Sequence, residues 1–131
     1  MFHRTAGQKA MRVKMDAVRI QEADFSQEEE VAAIRTVSSC IGGVVTFLGC
    51  ARDFSEGRAV QSIQFEHYAD MALNEMKALH DEAIEAFDII AVRMIHRVTT
   101  VQAGEQIVLI IVASEHRKAA FEACEWLIDS L

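Results

Sequence analysis

The run "QIVLIIVAS", Gln106 to Ser114, restricts the fold more than any other stretch of the chain. Its residues from Ile107 to Ala113 are all apolar, without the alternation of a strand that has one wet face. A continuously apolar run of this length is typical of a strand buried on both faces. It is also far too short to span a bilayer. We therefore predict a layered domain in which other elements cover both sides of this strand, and not a membrane protein.

Four other segments have the pattern of strands: "MDAVRIQ", "IGGVVTFLGCARD", "AVQSIQFEHY" and "DIIAVRMIHRV". The second and third flank the turn-forming "FSEGR", which predicts a hairpin. One helix should begin after Ser26, where Glu29 completes a capping box, and a second near Asp70 as its N-cap. Strands mixed with helices in this way predict an α+β domain, with a mixed sheet covered mainly on one face.

The final stretch, "SEHRKAAFEACEWLIDSL", predicts a third helix with Ser114 as its N-cap. Apolar residues recur in it every three or four positions, which indicates one buried face. That face would comprise Ala120, Phe121, Cys124, Leu127, Ile128 and Leu131.

Length and charge limit the classes of function. A chain of 131 residues predicts one domain over residues 1–131, whose first 13 residues we expect to be flexible. A net charge of -7 disfavours nucleic acid as a partner. The three cysteines, Cys40, Cys50 and Cys124, show no CxxC spacing, which argues against a disulfide framework and a zinc site. The N-terminus has no apolar core of signal-peptide length, so we expect a cytoplasmic protein with reduced thiols.

The start of the third helix is the first candidate site. His116, Arg117 and Lys118 place cations at the positive end of a helix dipole, which costs about 0.3–1 kcal/mol each. A bound phosphate would resolve this conflict, because free backbone N–H groups favour an anion and an arginine adds a bidentate fork. Alternatively the cations point into water, and Glu115 neutralises part of their charge. Composition does not decide between these two interpretations.

The second candidate is "GCARDFSEGR", in which Arg52 follows the end of a strand. Functional arginines often occupy such positions, although the segment taken alone favours a surface contact between Arg52 and Asp53 beside a turn. Cys50 could be an activated thiolate beside Arg52, or a small apolar filler. His67 and His96 stand near strand ends without the spacing of metal ligands, so we predict structural roles for both.

Taken together, these segments resemble a known family. "GGVVTFLGCARDFSEGRAVQSIQFEHYADMA", "VRMIHRV" and "AGEQIVLIIVASEHRKAAFEACEWLIDSL" are similar in order and spacing to the large, catalytic subunit of molybdopterin synthase. The similarity covers about residues 41–131. Because several separated motifs agree, the resemblance is specific.

The resemblance implies an α/β hammerhead fold and a sulfur transferase of molybdenum cofactor biosynthesis. Such enzymes convert cyclic pyranopterin monophosphate into the molybdopterin dithiolene, with sulfur from the C-terminal thiocarboxylate of a small ubiquitin-like subunit. They work as heterotetramers built on a dimer of large subunits. Their substrate pocket maps here onto Cys50, Ala51 and Arg52, and onto His116 and Arg117 reaching across the dimer. No redox or metal cofactor is implied.

This sequence departs from the family pattern at two places. Cys50 stands where the family often has a basic residue, which makes the pocket less positive. The family also continues with a segment of the form K-x-x-x-P-[IF]-W-K-[KR]-E, whose lysines are its best catalytic candidates, whereas this sequence ends at Leu131. Lys118, the one lysine left near the site, is not assigned that role, so the catalytic residue stays unknown. We expect that the catalytic chain is longer than these 131 residues.

Two alternative functions remain open. One is a non-catalytic dimeric scaffold that docks the small subunit without turnover. The other is a sulfurtransferase that works through a persulfide on Cys50.

Overall fold

The computed structural model describes residues 17–53 and 69–131, which contain four strands in one sheet. These are β1 (Val18–Gln21), β2 (Gly43–Cys50), β3 (Ala91–Arg97) and β4 (Gln106–Ser114). The spatial order is β1-β3-β4-β2, with β1 parallel to β3 and both other pairs antiparallel. The prediction of a mixed, mostly antiparallel sheet in an α+β fold is therefore confirmed.

Within the described residues, three helices accompany this sheet: α1 (Gln27–Ile34), α2 (Ala69–Ala86) and α3 (Arg117–Ser130). The Ser26 side chain accepts a hydrogen bond from the backbone N–H of Glu29, so the predicted cap of α1 is confirmed. None of the helices in the described part of the chain is long and apolar enough to cross a membrane.

Two predicted helix caps are wrong. Asp70 already lies in the first turn of α2, because the helix includes Ala69. Ser114 stays in β4, where it pairs with Gly43, and its hydroxyl donates to the carbonyl oxygen of His116 instead of capping the helix. The helix therefore begins later, and His116 is the N-cap of α3.

The prediction that β4 is buried on both faces is confirmed. Ile110 and Val112 face the core beneath α2 and α3, while Leu109 and Ile111 face a second core that includes Phe25 and Ile34 beside α1. All four of these β4 side chains are completely buried. The two longer helices cover one face and the short α1 covers the other, as the continuous apolar run required.

The predicted buried face of α3 is partly wrong. Ala120, Cys124 and Leu127 are buried, but Phe121 is 60% exposed and Leu131 is 50% exposed. Ala120 and Ala123 are small and buried, which lets the helix lie close to the sheet. The bulky phenyl ring of Phe121 lies at the side of this buried face. The periodicity placed Phe121 correctly near the apolar face but could not show that it lies at the border.

The predicted strand "AVQSIQFEHY" and its hairpin with β2 lie outside the described residues. So does His67. The same holds for residues 1–13, for which flexibility was expected.

An ion-pair network joins α1 to the sheet. The Glu30 carboxylate accepts hydrogen bonds from Arg19 on β1 and, at 2.9 Å, from Nε of Arg93 on β3. The side chains of Glu30 and Arg93 are only 13% and 10% exposed. Burial acts to raise the pKa of Glu30, but hydrogen bonds and charge from the two arginines outweigh it and hold the pKa below its ordinary value. The network therefore stabilises the docking of α1.

Candidate functional site

The start of α3 is an uncapped helix N-terminus that carries cations. Within the described part of the chain, the His116 side chain makes no capping hydrogen bond and the first turn of α3 holds no acidic side chain. Arg117 and Lys118 are exposed, and Nε2 of His116 lies 3.8 Å from Oε1 of Glu115. The start of α3 thus combines unpaired backbone N–H donors, the positive end of the helix dipole and a guanidinium group. This combination suits the binding of a phosphate or a carboxylate.

Gly42, directly before β2, packs closely against the backbone that leads into this helix start, next to Gly43 at the beginning of β2. The backbone N–H of Gly42 donates to the carbonyl oxygen of Ser114 at 2.9 Å. A Cβ added to Gly42 would lie 2.2 Å from the carbonyl oxygen of Glu115, whereas one added to Gly43 would meet Arg117 at an ordinary 3.7 Å. Both glycines belong to the segment "IGGVVTFLGCARD", whose pattern predicted a strand but not this close contact of Gly42. The signal was the GG pair itself, since adjacent glycines in a strand often mark close backbone approach.

We expect Gly42→Ala to disturb the candidate site, while Gly43→Ala serves as the matched control. In the first variant backbone must move, because the added methyl group meets a carbonyl oxygen; overpacking of this kind costs about 1–3 kcal/mol. Thermal unfolding and phosphate-ester binding should both weaken in Gly42→Ala and change little in Gly43→Ala. Equal effects in the two variants would contradict the positioning role of Gly42.

The other candidate segment, Cys50 to Arg52, lies at the far end of β2. Cys50 is the exposed last residue of the strand, and Ala51 is buried. The N–H of Ala51 donates to the Glu105 carbonyl oxygen at 2.9 Å, and the Ala51 carbonyl accepts from Gly104 at 2.8 Å. This pairing fixes the backbone immediately before Arg52, which is exposed. The scaffold therefore holds the backbone that carries the exposed Arg52.

Arg97 supports the turn that holds Ala51. Its guanidinium donates to the Gln106 carbonyl at 3.2 Å and to Oε1 of Glu105 at 3.4 Å. Its side chain is only 10% exposed. Beside it, Nδ1 of His96 lies 2.8 Å from the Arg97 carbonyl oxygen. Both contacts are structural, which agrees with the role predicted for His96.

The structure does not bring the two candidate segments together within one chain. Gly43 pairs with Ser114 at one end of β2, and Cys50 pairs with Gln106 at the other. Seven residues of extended strand separate these ends by about 23 Å. One small ligand cannot contact Arg52 and Arg117 of the same chain. A site that uses both residues requires a second chain.

The cysteines and possible metal ligands add no further centre to the described residues. Cys40 and Cys50 are exposed free thiols, while Cys124 is buried. Burial raises the pKa of the Cys124 thiol to about 11, so it is not a thiolate at neutral pH. Among residues 17–53 and 69–131, no three His, Cys, Asp or Glu side chains are placed to bind a metal ion.

Comparison with known proteins gives a consistent result. The model of the MoaE protein family matches residues 20–131. The chain is 41% identical over 117 residues to the molybdopterin synthase catalytic subunit of Ralstonia nicotianae, covering 89% of this chain and 66% of that protein. It is 40% identical over 108 residues to the same-named subunit of Pyrococcus abyssi, covering 82% of this chain and 72% of that protein. It therefore spans about two thirds of the length of these relatives.

A solved structure shows the same fold. The molybdopterin biosynthesis MoaE protein from Burkholderia ambifaria superposes with a TM-score of 0.81 at 34% identity. The superposition covers 89% of this chain and 76% of that one. The arrangement of three helices on a four-stranded mixed sheet is thus common to both.

Proposed function

The chain belongs to the MoaE family, and from this premise we propose that it is the large subunit of a molybdopterin synthase. In this proposal it transfers sulfur from the C-terminal thiocarboxylate of a small ubiquitin-like subunit to cyclic pyranopterin monophosphate, which forms the dithiolene of molybdopterin. Relatives at about 40% identity that are named molybdopterin synthase catalytic subunits support the assignment. The exposed thiols of Cys40 and Cys50, with no disulfide among the described residues, suit a reducing, cytoplasmic setting.

One structural observation carries the site assignment, namely the uncapped, cationic N-terminus of α3. The phosphate of the pterin precursor would accept hydrogen bonds from the backbone N–H groups that follow His116. Arg117 would add a bidentate, charge-assisted pair on the same phosphate. A substrate phosphate also removes the unfavourable pairing of cations with the positive helix end.

A homodimer would complete this site. The 23 Å estimated between the ends of β2 separates Arg52 from Arg117 in one chain, so a two-fold arrangement would place Arg52 of one protomer beside His116 and Arg117 of the other. In this arrangement Cys50, Ala51 and Arg52 line one side of the pocket. The well-held backbone at Ala51 would keep Arg52 aimed at the substrate or the incoming acyl group.

The chemical step needs a group that moves protons and stabilises the leaving carboxylate. Arg52 and Arg117 would bind and polarise the substrate through their guanidinium groups, because an arginine does not serve as a general base. His116 lies where it could exchange a proton with the substrate, beside Glu115. The lysine that the family places beyond the last helix is the stronger candidate for acid and base chemistry, so no residue of this sequence is assigned as the general acid or base.

The direct test is conversion of the pterin precursor by the protein in the presence of the thiocarboxylated small subunit. We expect dithiolene product, with activity retained in Cys50→Ala and lost in Arg52→Ala and Arg117→Ala. Loss of activity in Cys50→Ala would instead favour a persulfide on that exposed thiol. Precursor binding without product would leave the docking-subunit alternative, and absence of both binding and product would contradict the proposal.

A further inference from the structure

A groove of about 490 Å³ lies between β2 and α3, and its lining residues belong to neither candidate segment. Its apolar wall includes Phe47, Phe121 and Ile128. Three exposed acidic side chains of α3 form its rim: Glu122, Glu125 and Asp129. The 60% exposed Phe121 ring borders this acidic rim. The groove therefore offers apolar contact and negative charge side by side.

The charges on this rim are arranged unfavourably for an empty groove. Glu122 and Glu125 are three residues apart and Glu125 and Asp129 are four apart, so like charges are neighbours on the helix surface. Asp129 also stands in the last turn of α3, where the dipole favours cations and no basic side chain is present. None of the three has an ion-pair partner within residues 17–53 and 69–131. A cationic occupant would relieve both effects.

We propose that residues 1–10 of the same chain dock in this groove. This segment, "MFHRTAGQKA", contains no acidic residue and carries the N-terminal ammonium, His3, Arg4 and Lys9. It also supplies Phe2, an aromatic side chain for the apolar wall. The described residues are acidic by contrast, since 17–53 and 69–131 hold 17 Asp and Glu against 8 Lys and Arg, so the charge of this segment complements the acidic rim.

The distance is within reach of the same chain. The first described residue, Ala17, directly precedes β1, and three strand spacings of about 4.8 Å separate β1 from β2. Residues 11–16 extend to about 20 Å as a tether, against a separation of about 14 Å measured across the sheet.

The inference does not depend on the proposed enzymatic function. The family match begins at residue 20, so residues 1–10 lie outside it. The groove is separate from Arg52 and from His116, and its occupancy is measurable without substrate.

Trypsin tests the docking, because it cleaves after Arg4 and Lys9. Cleavage of the full chain at low ionic strength is followed by intact mass. Removing three rim charges in Glu122→Gln/Glu125→Gln/Asp129→Asn should speed cleavage at these sites about tenfold, given three weak ion pairs. The matched control Glu75→Gln/Glu82→Gln/Glu85→Gln removes the same charge from exposed positions of α2 and should leave the rate unchanged.

Each outcome decides the proposal. Faster cleavage in the rim variant alone, reproduced in wild type by high salt, supports docking within the chain. Equal rates in wild type and both variants would overturn it, as expected if residues 54–68 or a partner cover the groove instead. Protection that disappears on dilution would also overturn it, because a second copy would then supply the segment.

Discussion

Replacing Arg117 by alanine is expected to weaken binding of the pterin precursor about 10- to 100-fold, because a charge-assisted bidentate contact usually contributes that much to affinity. The residue begins α3 and its side chain is exposed, so the variant should unfold within about 0.5 kcal/mol of wild type. Calorimetric titration with the precursor measures the first effect and thermal unfolding the second.

Two further variants separate charge from geometry at this position. Arg117→Lys keeps the charge but loses the planar fork, so its affinity should fall between those of wild type and Arg117→Ala. Lys77→Ala removes an exposed cation from α2 and should bind as wild type. Unchanged affinity in Arg117→Ala would remove the phosphate assignment from the start of α3.

Replacing Glu30 by glutamine is expected to cost about 3 kcal/mol of stability. The change leaves two partly buried arginines without their shared counter-ion, and breaking a buried pair from one side is more costly than losing an exposed pair. Denaturant unfolding at pH 7 measures the loss. Glu28→Gln is the matched control, because Glu28 is exposed in the same helix.

The pH dependence of this difference has a defined sign. Because the pKa of Glu30 in the folded chain lies below the ordinary value of 4.5, the unfolded chain binds the proton more readily. The contribution is present above pH 4.5 and is lost as pH falls through the lowered folded-state pKa. The stability gap between wild type and Glu30→Gln should therefore close in acid. A gap that stays constant down to pH 3 would assign the loss to packing instead.

Elements with a strong local pattern could be predicted from sequence. The continuous apolar run of β4 required cover on both faces, and the Ser26 and Glu29 spacing placed the start of α1 correctly. The start of α3 was misplaced because Ser114 is a good cap by type, but its pairing with Gly43 keeps it in the sheet. Strand pairing over long sequence distance overrode a local preference there.

Long-range contacts explain what the sequence did not show at the candidate site. The cations of His116 and Arg117 indicated an anion site, yet nothing local revealed that Gly42 packs against Glu115. Likewise Arg97 and Glu105 hold Ala51 in place through a turn whose sequence is that of an ordinary loop. The 23 Å estimated between the two segments follows only from the register of β2 with β4.

The stoichiometry of precursor binding to mixed dimers tests the two-chain site most directly. Arg52→Ala and Arg117→Ala proteins should each bind poorly alone. When the two are produced together in equal amounts, half of the dimers carry one of each, and each such dimer regains one intact site; calorimetry should find about a quarter of the wild-type sites. A mixture that binds no better than either variant alone would contradict the account, because both residues would then act within one chain.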